Sequence, residues 1–371
     1  MDINSIFKEY IKPKDYAGGL TKDEIDFVGD IGKIWKLSSN ENILGPSPLA
    51  QQAICKCLEN IHEYDFRDDS LLKKAICETD TNLTSKNLVS ANSGVEVLEL
   101  ITRGFLSPGL ECIISHPTFV AYQSMIENEG SKVINVPLNS ENYTIDVQGV
   151  LDAVTEKTRL VFITNPNNPT GTYTDKPSID YLIYNLPKDI VIVYDEVYFH
   201  FSDAPDFPRA FDYIKENQNV IGVHSFSKAY GLAGIRLGYG ISTPKIISYL
   251  ENIKRPFIIN TLTMVAGINA LKDTNHLQKT ISLIRSEKKW LYQEFDKLNI
   301  KYWPSQTNFI FIELKMKLND FVNKMLNRGI MIRPCDKFGA PKGARITIGN
   351  REANMALVKA LTKIYMHAEI S

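Results

Sequence analysis

Cysteine is scarce in this chain and forms no pattern. Cys55, Cys57, Cys77, Cys112 and Cys335 are an odd number among 371 residues, with no C-x-x-C pair. That argues against a disulfide framework and a zinc site, and points to a reducing compartment. An excess of charge of one sign is missing too. Basic residues number 42 against 43 acidic, a formal net charge of −1, and they form no long run, so a grip on nucleic acid or acidic lipid is not encoded. No unbroken apolar run is long enough for a membrane span, and the opening MDINSIFKEYIKPKDY lacks a cationic start followed by an apolar core. These absences predict a cytoplasmic protein with a small-molecule partner, without nucleic acid or membrane.

What is present is ordinary for a globular protein: 44% hydrophobic and 23% charged residues. Single cores stop growing at roughly 250–300 residues, so more than one domain is expected. From about Asn87 to Ser242, short apolar runs rich in β-branched residues alternate with amphipathic stretches. This is the mark of strand and helix units around a largely parallel sheet. The expected strands are NLVSA, ECIIS, KVINVPL, RLVFITN, IVIVYDE, NVIGVHS and RLGYGIS. Several end at a polar residue before a loop: Asn92, His116, Asn165, Asp195 and Ser225. Ligands of open α/β sheets bind beyond the carboxyl ends of the strands, so these ends are expected around one site. The last third, with the helical ISLIRSEKKWLYQEFDKL and the strands NFIFIEL and ARITIG, reads as a smaller α+β unit. The expected division is 1–48 as an N-terminal arm joining the small domain, 49–260 as the large domain and 261–371 as the small one.

Four motifs carry chemistry. In SANSGVEVLELITRGF a strand runs through Asn92, Ser93 and Gly94 into a helix whose free amides and dipole suit an anion; a plain N-cap turn is an equal reading. In VHSFSKAYGLAGIRLGYG, Ser225, Ser227 and Arg236 offer two hydroxyls and a guanidinium fork to a phosphate. Lys228 between them is then left to form a Schiff base with a carbonyl cofactor. Asp195 ends an apolar strand, so its carboxylate needs a positive partner such as a protonated pyridine, or else caps the next helix. Tyr198 lies within reach of the same ring. In TNPNNPTGTY, Asn168 before Pro169 has an amide to donate.

Together TNPNNPTG, YDEVY, SFSKAYGLAGIRLGY and ARITIG resemble the fold type I enzymes that use pyridoxal 5'-phosphate, specifically the class I/II aminotransferases. LSSNENILGPSP, HPTF and GIMIRPCDKFGAPKGARITIGNREAN resemble the histidinol-phosphate aminotransferase branch. The resemblance implies an α/β fold of the aspartate aminotransferase kind, a mostly parallel central sheet flanked by helices, with a smaller α+β C-terminal domain. It implies that Lys228 holds the cofactor and moves the proton, that Asp195 keeps the ring nitrogen protonated, and that Asn168 and Tyr198 meet the ring's phenolic oxygen. Ser93, Gly94, Ser225, Ser227 and Arg236 become the phosphate cradle and Phe119 the stacking ring. Tyr64 would reach the phosphate of a neighbouring subunit in a homodimer. Arg345, Asn40 and Tyr16 fall on the substrate side. DYAGGL departs from the branch pattern in lacking a proline and a basic residue. An aromatic amino acid aminotransferase and a threonine-phosphate decarboxylase therefore stand as alternatives to histidinol-phosphate:2-oxoglutarate transamination. His116, His200, His224 and Glu196 are assigned no role.

Overall fold

All seven expected strands join one sheet in the computed structural model, which describes residues 7–12, 33–64, 68–80, 82–216 and 218–366. They are β2 (Leu88–Ala91), β3 (Glu111–His116), β4 (Lys132–Pro137), β5 (Thr158–Thr164), β6 (Val191–Asp195), β7 (Val220–Ser225) and β8 (Gly238–Ile241), in the order β2-β8-β7-β6-β5-β3-β4. Only β8 runs antiparallel to its neighbours. The parallel strands carry nearly continuous apolar runs because helices cover both faces. Alternation sends Ile192 and Tyr194 of β6 into one core cluster and Val191 and Val193 into another on the opposite face. Parallel pairing of β5, β6 and β7 brings their carboxyl ends to one edge, with Thr164 opposite Asp195 and Asp195 opposite Val223.

Gly238 shows how tightly that edge is built. It sits between Ala91 and Ser225, and a Cβ there would stand 2.2 Å from the amide nitrogen of Gly94. Only glycine lets the helix Gly94–Phe105 start directly over β8.

The C-terminal third forms a three-stranded antiparallel sheet of β9 (Phe309–Glu313), β11 (Arg333–Pro334) and β12 (Gly343–Thr347), in the order β11-β12-β9. Its core takes Phe321 and Met325 from the helix Leu318–Leu326. From Arg351–Met366 it takes Ala353, Leu357, Leu361 and Ile364, one apolar stripe at helical spacing. The long helix begins at Thr274 rather than near Ile281, because Asp273 accepts a hydrogen bond from the His276 amide and caps it there. The N-terminal segment returns to this unit: β1 (Trp35–Lys36) pairs in parallel with β10 (Ile330–Met331). Among the described residues no helix is long and apolar enough to cross a membrane.

Candidate active site

A cavity of about 590 Å³ opens at the carboxyl edge of the large sheet, under the small sheet and the segment that follows β1. Such a size suits one small molecule. From the large sheet it is lined by Ser93, Gly94, Phe119, Asn168, Asp195, Tyr198, Ser225, Ser227, Lys228 and Arg236; Asn40 and Arg345 close it from the other side. Tyr64 does not line it. That ring is 84% exposed and rests against Phe257, centroids 5.1 Å apart. Tyr16 lies outside the described residues.

The strand-end expectation needs correction. Asp195 and Ser225 reach the cavity, but Asn92, His116 and Asn165 do not line it. Asn165 braces its own loop, accepting from the Thr174 amide and donating to the Thr174 carbonyl. Asn92 is exposed and donates its amide to Glu96. His116 lies against Gly339, where a Cβ would meet its ring at 1.8 Å. A strand end fixes where a residue sits, and side-chain direction is decided by the loop beyond it.

At one end of the cavity Ser93 caps the helix Gly94–Phe105, its hydroxyl accepting from the Glu96 amide. Ser227 donates its amide to Ser225 Oγ at 3.1 Å, and Arg236 Nη1 reaches Ser227 Oγ at 3.4 Å. Helix terminus, hydroxyls and guanidinium converge as an anion cradle. Asn40, Ser93 and Arg236 have φ of 55°, 138° and 61°, three of the six non-glycine residues with positive φ among those described. Backbone strain of this kind gathers where function needs a fixed geometry.

Lys228, half-buried in the wall, donates to the Ser39 carbonyl at 3.2 Å. Burial, with the Arg345 and Arg236 charges, pushes its amine down to about 8. Its loop is locked beneath the N-terminal segment: Asn42 donates to the Ala229 carbonyl, and a Cβ on Gly231 would lie 2.2 Å from the Gly45 oxygen. Asp195 is buried. Its Oδ2 accepts from Tyr122 at 2.6 Å and its Oδ1 from the Val197 amide at 3.1 Å. The bond from Val197 makes an Asx turn and not a helix cap: the next helical turn, Phe199–Phe201, starts at Tyr198 with no side-chain cap. Burial raises the pKa of Asp195 above the ordinary aspartate value, and among the described residues it has no basic side chain in ion-pair contact.

Arg345 is buried, donating to Asn168 Oδ1 at 2.6 Å and to the Ser38 carbonyl at 2.7 Å, while its Nε has no partner. Because a guanidinium only donates, the Asn168 oxygen must face it, and the amide NH₂ is the end turned to a ligand. Tyr198 likewise accepts from Asn40 Nδ2 at 3.0 Å, leaving its own proton for another acceptor.

The sequence reading missed Tyr122, Thr164, Arg333 and Phe338, all on the cavity wall. Arg333 had a signal, since MIRP stands twelve residues before Arg345 in GARITIG; its place directly opposite Arg345 is a matter of strand register. Tyr122 had none, one aromatic in an amphipathic helix.

Glu196 and His224, assigned no role from the sequence, form a charge cluster on the reverse side of these strand ends. Glu196 is fully buried, with Arg209 Nε at 2.8 Å and His224 Nε2 at 3.0 Å. Arg209 also covers the Phe199 ring at 3.6 Å. Despite burial, the Arg209 charge and His224 hold the Glu196 carboxyl down to about 2. Its stabilising contribution is therefore complete above about pH 4.5 and is lost as pH falls toward about 2. Glu196→Gln should cost about 2–3 kcal/mol in urea unfolding at neutral pH, since one partner of a largely buried pair is left behind. The gap from the parent should close on acidification through that window.

Residues 33–361 match the family model for aminotransferase class I and II. The chain is 35% identical over 352 residues to a histidinol-phosphate aminotransferase of Moorella thermoacetica, covering 95% of this chain and 90% of that one. It is 36% identical over 331 residues to the corresponding protein of Akkermansia muciniphila, covering 89% and 90%. Among solved structures it resembles histidinol-phosphate aminotransferase from Sinorhizobium meliloti in complex with pyridoxal-5'-phosphate, with a TM-score of 0.88, 23% identity and 98% of each chain covered. It also resembles the enzyme from Clostridium acetobutylicum, with a TM-score of 0.82, 25% identity, and 90% and 100% covered.

Proposed function

The chain belongs to the class I and II aminotransferases, and from that premise we propose that it binds pyridoxal 5'-phosphate and transfers the amino group of histidinol phosphate to 2-oxoglutarate. One observation carries the reading. Lys228 stands between two separate anion sites, the cradle of Ser93, Ser225, Ser227 and Arg236 on the large sheet and the arginine pair on the small one. Arg333 and Arg345 are register partners on antiparallel strands, so their side chains leave the same face, and both line the cavity. One site suits a cofactor phosphate. The other suits an amino donor and an acceptor that share a distal anion, the phosphate of histidinol phosphate and the second carboxylate of 2-oxoglutarate.

The donor set fits the cofactor: a buried carboxylate without a cation faces the same cavity as an amine of lowered basicity and a phosphate cradle. When bound, the cofactor supplies an electron sink for the electrons left on the substrate carbon. Lys228 Nζ would take that carbon's proton and deliver it to the cofactor carbon on the other side of the shared nitrogen, which a neutral amine near pH 8 can do. Asp195 would hold a proton on the ring nitrogen. Asn168 Nδ2 and the Tyr198 hydroxyl would donate to the ring oxygen, and Phe119 would cover the ring. Arg345 fixes the substrate's anionic end and thereby which bond at the carbon lies in line for breaking. Asn40 supports Tyr198 on the substrate side. In this reading the large domain spans about residues 49–260. Tyr64, turned away from its own cavity, serves that of a second copy, so the working unit is a homodimer.

The test is a half-reaction. The protein loaded with pyridoxal phosphate is mixed separately with histidinol phosphate, phenylalanine, glutamate and threonine phosphate, and the visible band is followed. Bleaching by histidinol phosphate and glutamate, reversed by 2-oxoglutarate, is the expected result. Preference for phenylalanine would move the enzyme to the aromatic branch, and carbon dioxide from threonine phosphate would make it a decarboxylase.

A further inference from the structure

Asp195 is reached by a chain of hydroxyls that nothing above uses. Tyr122, fully buried on the helix Ala121–Asn128, places its hydroxyl 2.6 Å from Asp195 Oδ2. Thr164 Oγ1 at the end of β5 lies 3.0 Å from that same hydroxyl, and Thr118 Oγ1 lies 3.3 Å from Thr164. A carboxylate can only accept, so the directions are fixed. Tyr122 donates to Asp195 and Thr164 donates to Tyr122, while Thr118 has Asn167 Oδ1 at 3.2 Å as a second acceptor for its single proton. The same Tyr122 ring packs edge-on against Phe119, centroids 5.5 Å apart at 85°, and against Phe162 at 4.8 Å. One side chain thus touches both the carboxylate and the ring proposed to cover the cofactor.

We infer that Tyr122 is a positioning residue for the amino-group transfer: through the Thr164–Tyr122–Asp195 chain it fixes the Asp195 carboxylate in its ionised form and keeps the proton on the cofactor ring nitrogen. The inference rests on the proposed pairing of Asp195 with that nitrogen. The physical reason is a competition for one proton. A carboxylate that accepts a strong hydrogen bond is a weaker base, so the shared proton stays on the ring. Without the Tyr122 donor the proton shifts toward Asp195 and the ring loses electron demand. The other groups that face Asp195 are the Val197 amide, Glu196 and Tyr198 from its own strand end, and His224 from β7. None of them donates a side-chain hydrogen bond to it, so none replaces Tyr122. Burial and the Asp195 charge both hold the Tyr122 proton on its oxygen, so the donor persists across the working pH range.

The experiment compares wild type, Tyr122→Phe, Thr164→Val, Asp195→Asn and Tyr122→Phe/Asp195→Asn, each titrated with pyridoxal 5'-phosphate. The pH midpoint of the visible absorption of the loaded protein is read beside cofactor affinity. Tyr122→Phe should raise the midpoint by about one to two pH units, the size set by one hydrogen bond to a charged group, and weaken binding by about tenfold or more. Thr164→Val keeps the aromatic ring in place and should shift the midpoint the same way by less, which secures the test should Tyr122→Phe fold poorly. In the Asp195→Asn background the Tyr122→Phe shift should vanish. An unmoved midpoint in a cofactor-binding Tyr122→Phe overturns the inference, as does an equal shift in the Asp195→Asn background. A wild-type protein that takes up no pyridoxal phosphate overturns the functional reading itself.

Discussion

Alanine in place of Lys228 lowers transamination by about 10⁴-fold, the upper end of what one positioned acid–base group contributes. Arginine there does no better, since a guanidinium does not give up its proton near neutral pH. The local geometry makes the expectation specific. Lys228 is the only lysine on the cavity wall among the described residues, its amine is brought down to about 8 by burial beside Arg345 and Arg236, and its loop is clamped by Asn42. Single-turnover rates with histidinol phosphate measure the loss. Borohydride reduction of the loaded protein followed by peptide mapping asks independently whether the cofactor becomes fixed at residue 228. Activity within tenfold of wild type in the alanine variant would remove Lys228 from the chemistry.

Asparagine at position 195 separates function from stability. The substitution keeps the shape and removes the charge that holds the ring-nitrogen proton, so turnover should fall by about 10²–10³-fold, the scale of losing one preorganised electrostatic partner. The cofactor-free protein should become more stable. Burial raises the Asp195 pKa above its usual value of 3.8, so ionising the group costs folding free energy. That cost grows as pH rises from the unfolded value through the folded one and stays constant above it. The Asp195→Asn variant escapes it, and without cofactor it should melt a few degrees higher than wild type at neutral pH, with the difference closing in acid. Adding pyridoxal phosphate should reverse the order, because only the carboxylate gains a cationic partner. Calorimetry of the four states checks this. A cofactor-free variant melting below wild type would mean that Asp195 has a positive partner in the resting protein.

Much of this was written locally. The strands of the large sheet declare themselves because a doubly covered parallel strand is apolar along its length, as VIVYD is. The Lys228 loop declares itself because Ser, Ser, Lys and Arg among small residues have no reason to stand in a packed interior. Local spacing does not foretell which strand ends turn inward. Asn165 and Asp195 look alike in sequence, yet the first braces its loop and the second faces the cavity. The start of the long helix at Thr274 was likewise hidden, because its cap is a single Asp273 side chain and the apolar stripe begins later.

The sequence by itself determined the class of chemistry, since an amine, a carboxylate, an amide and a phosphate-sized cradle occur in short segments whose backbones pre-set them. It also determined the large sheet, whose parallel strands are apolar along their length. Only the tertiary structure decided what faces what. Arg333 meets Arg345 because β11 and β12 pair in one register. Glu196 finds Arg209 and His224 behind the site because the chain turns just past the end of β6 and sends it away from the face that Asp195 takes. Tyr122 meets Asp195 across 73 residues of chain, a contact that depends on how a helix packs on a sheet edge and leaves no trace in spacing.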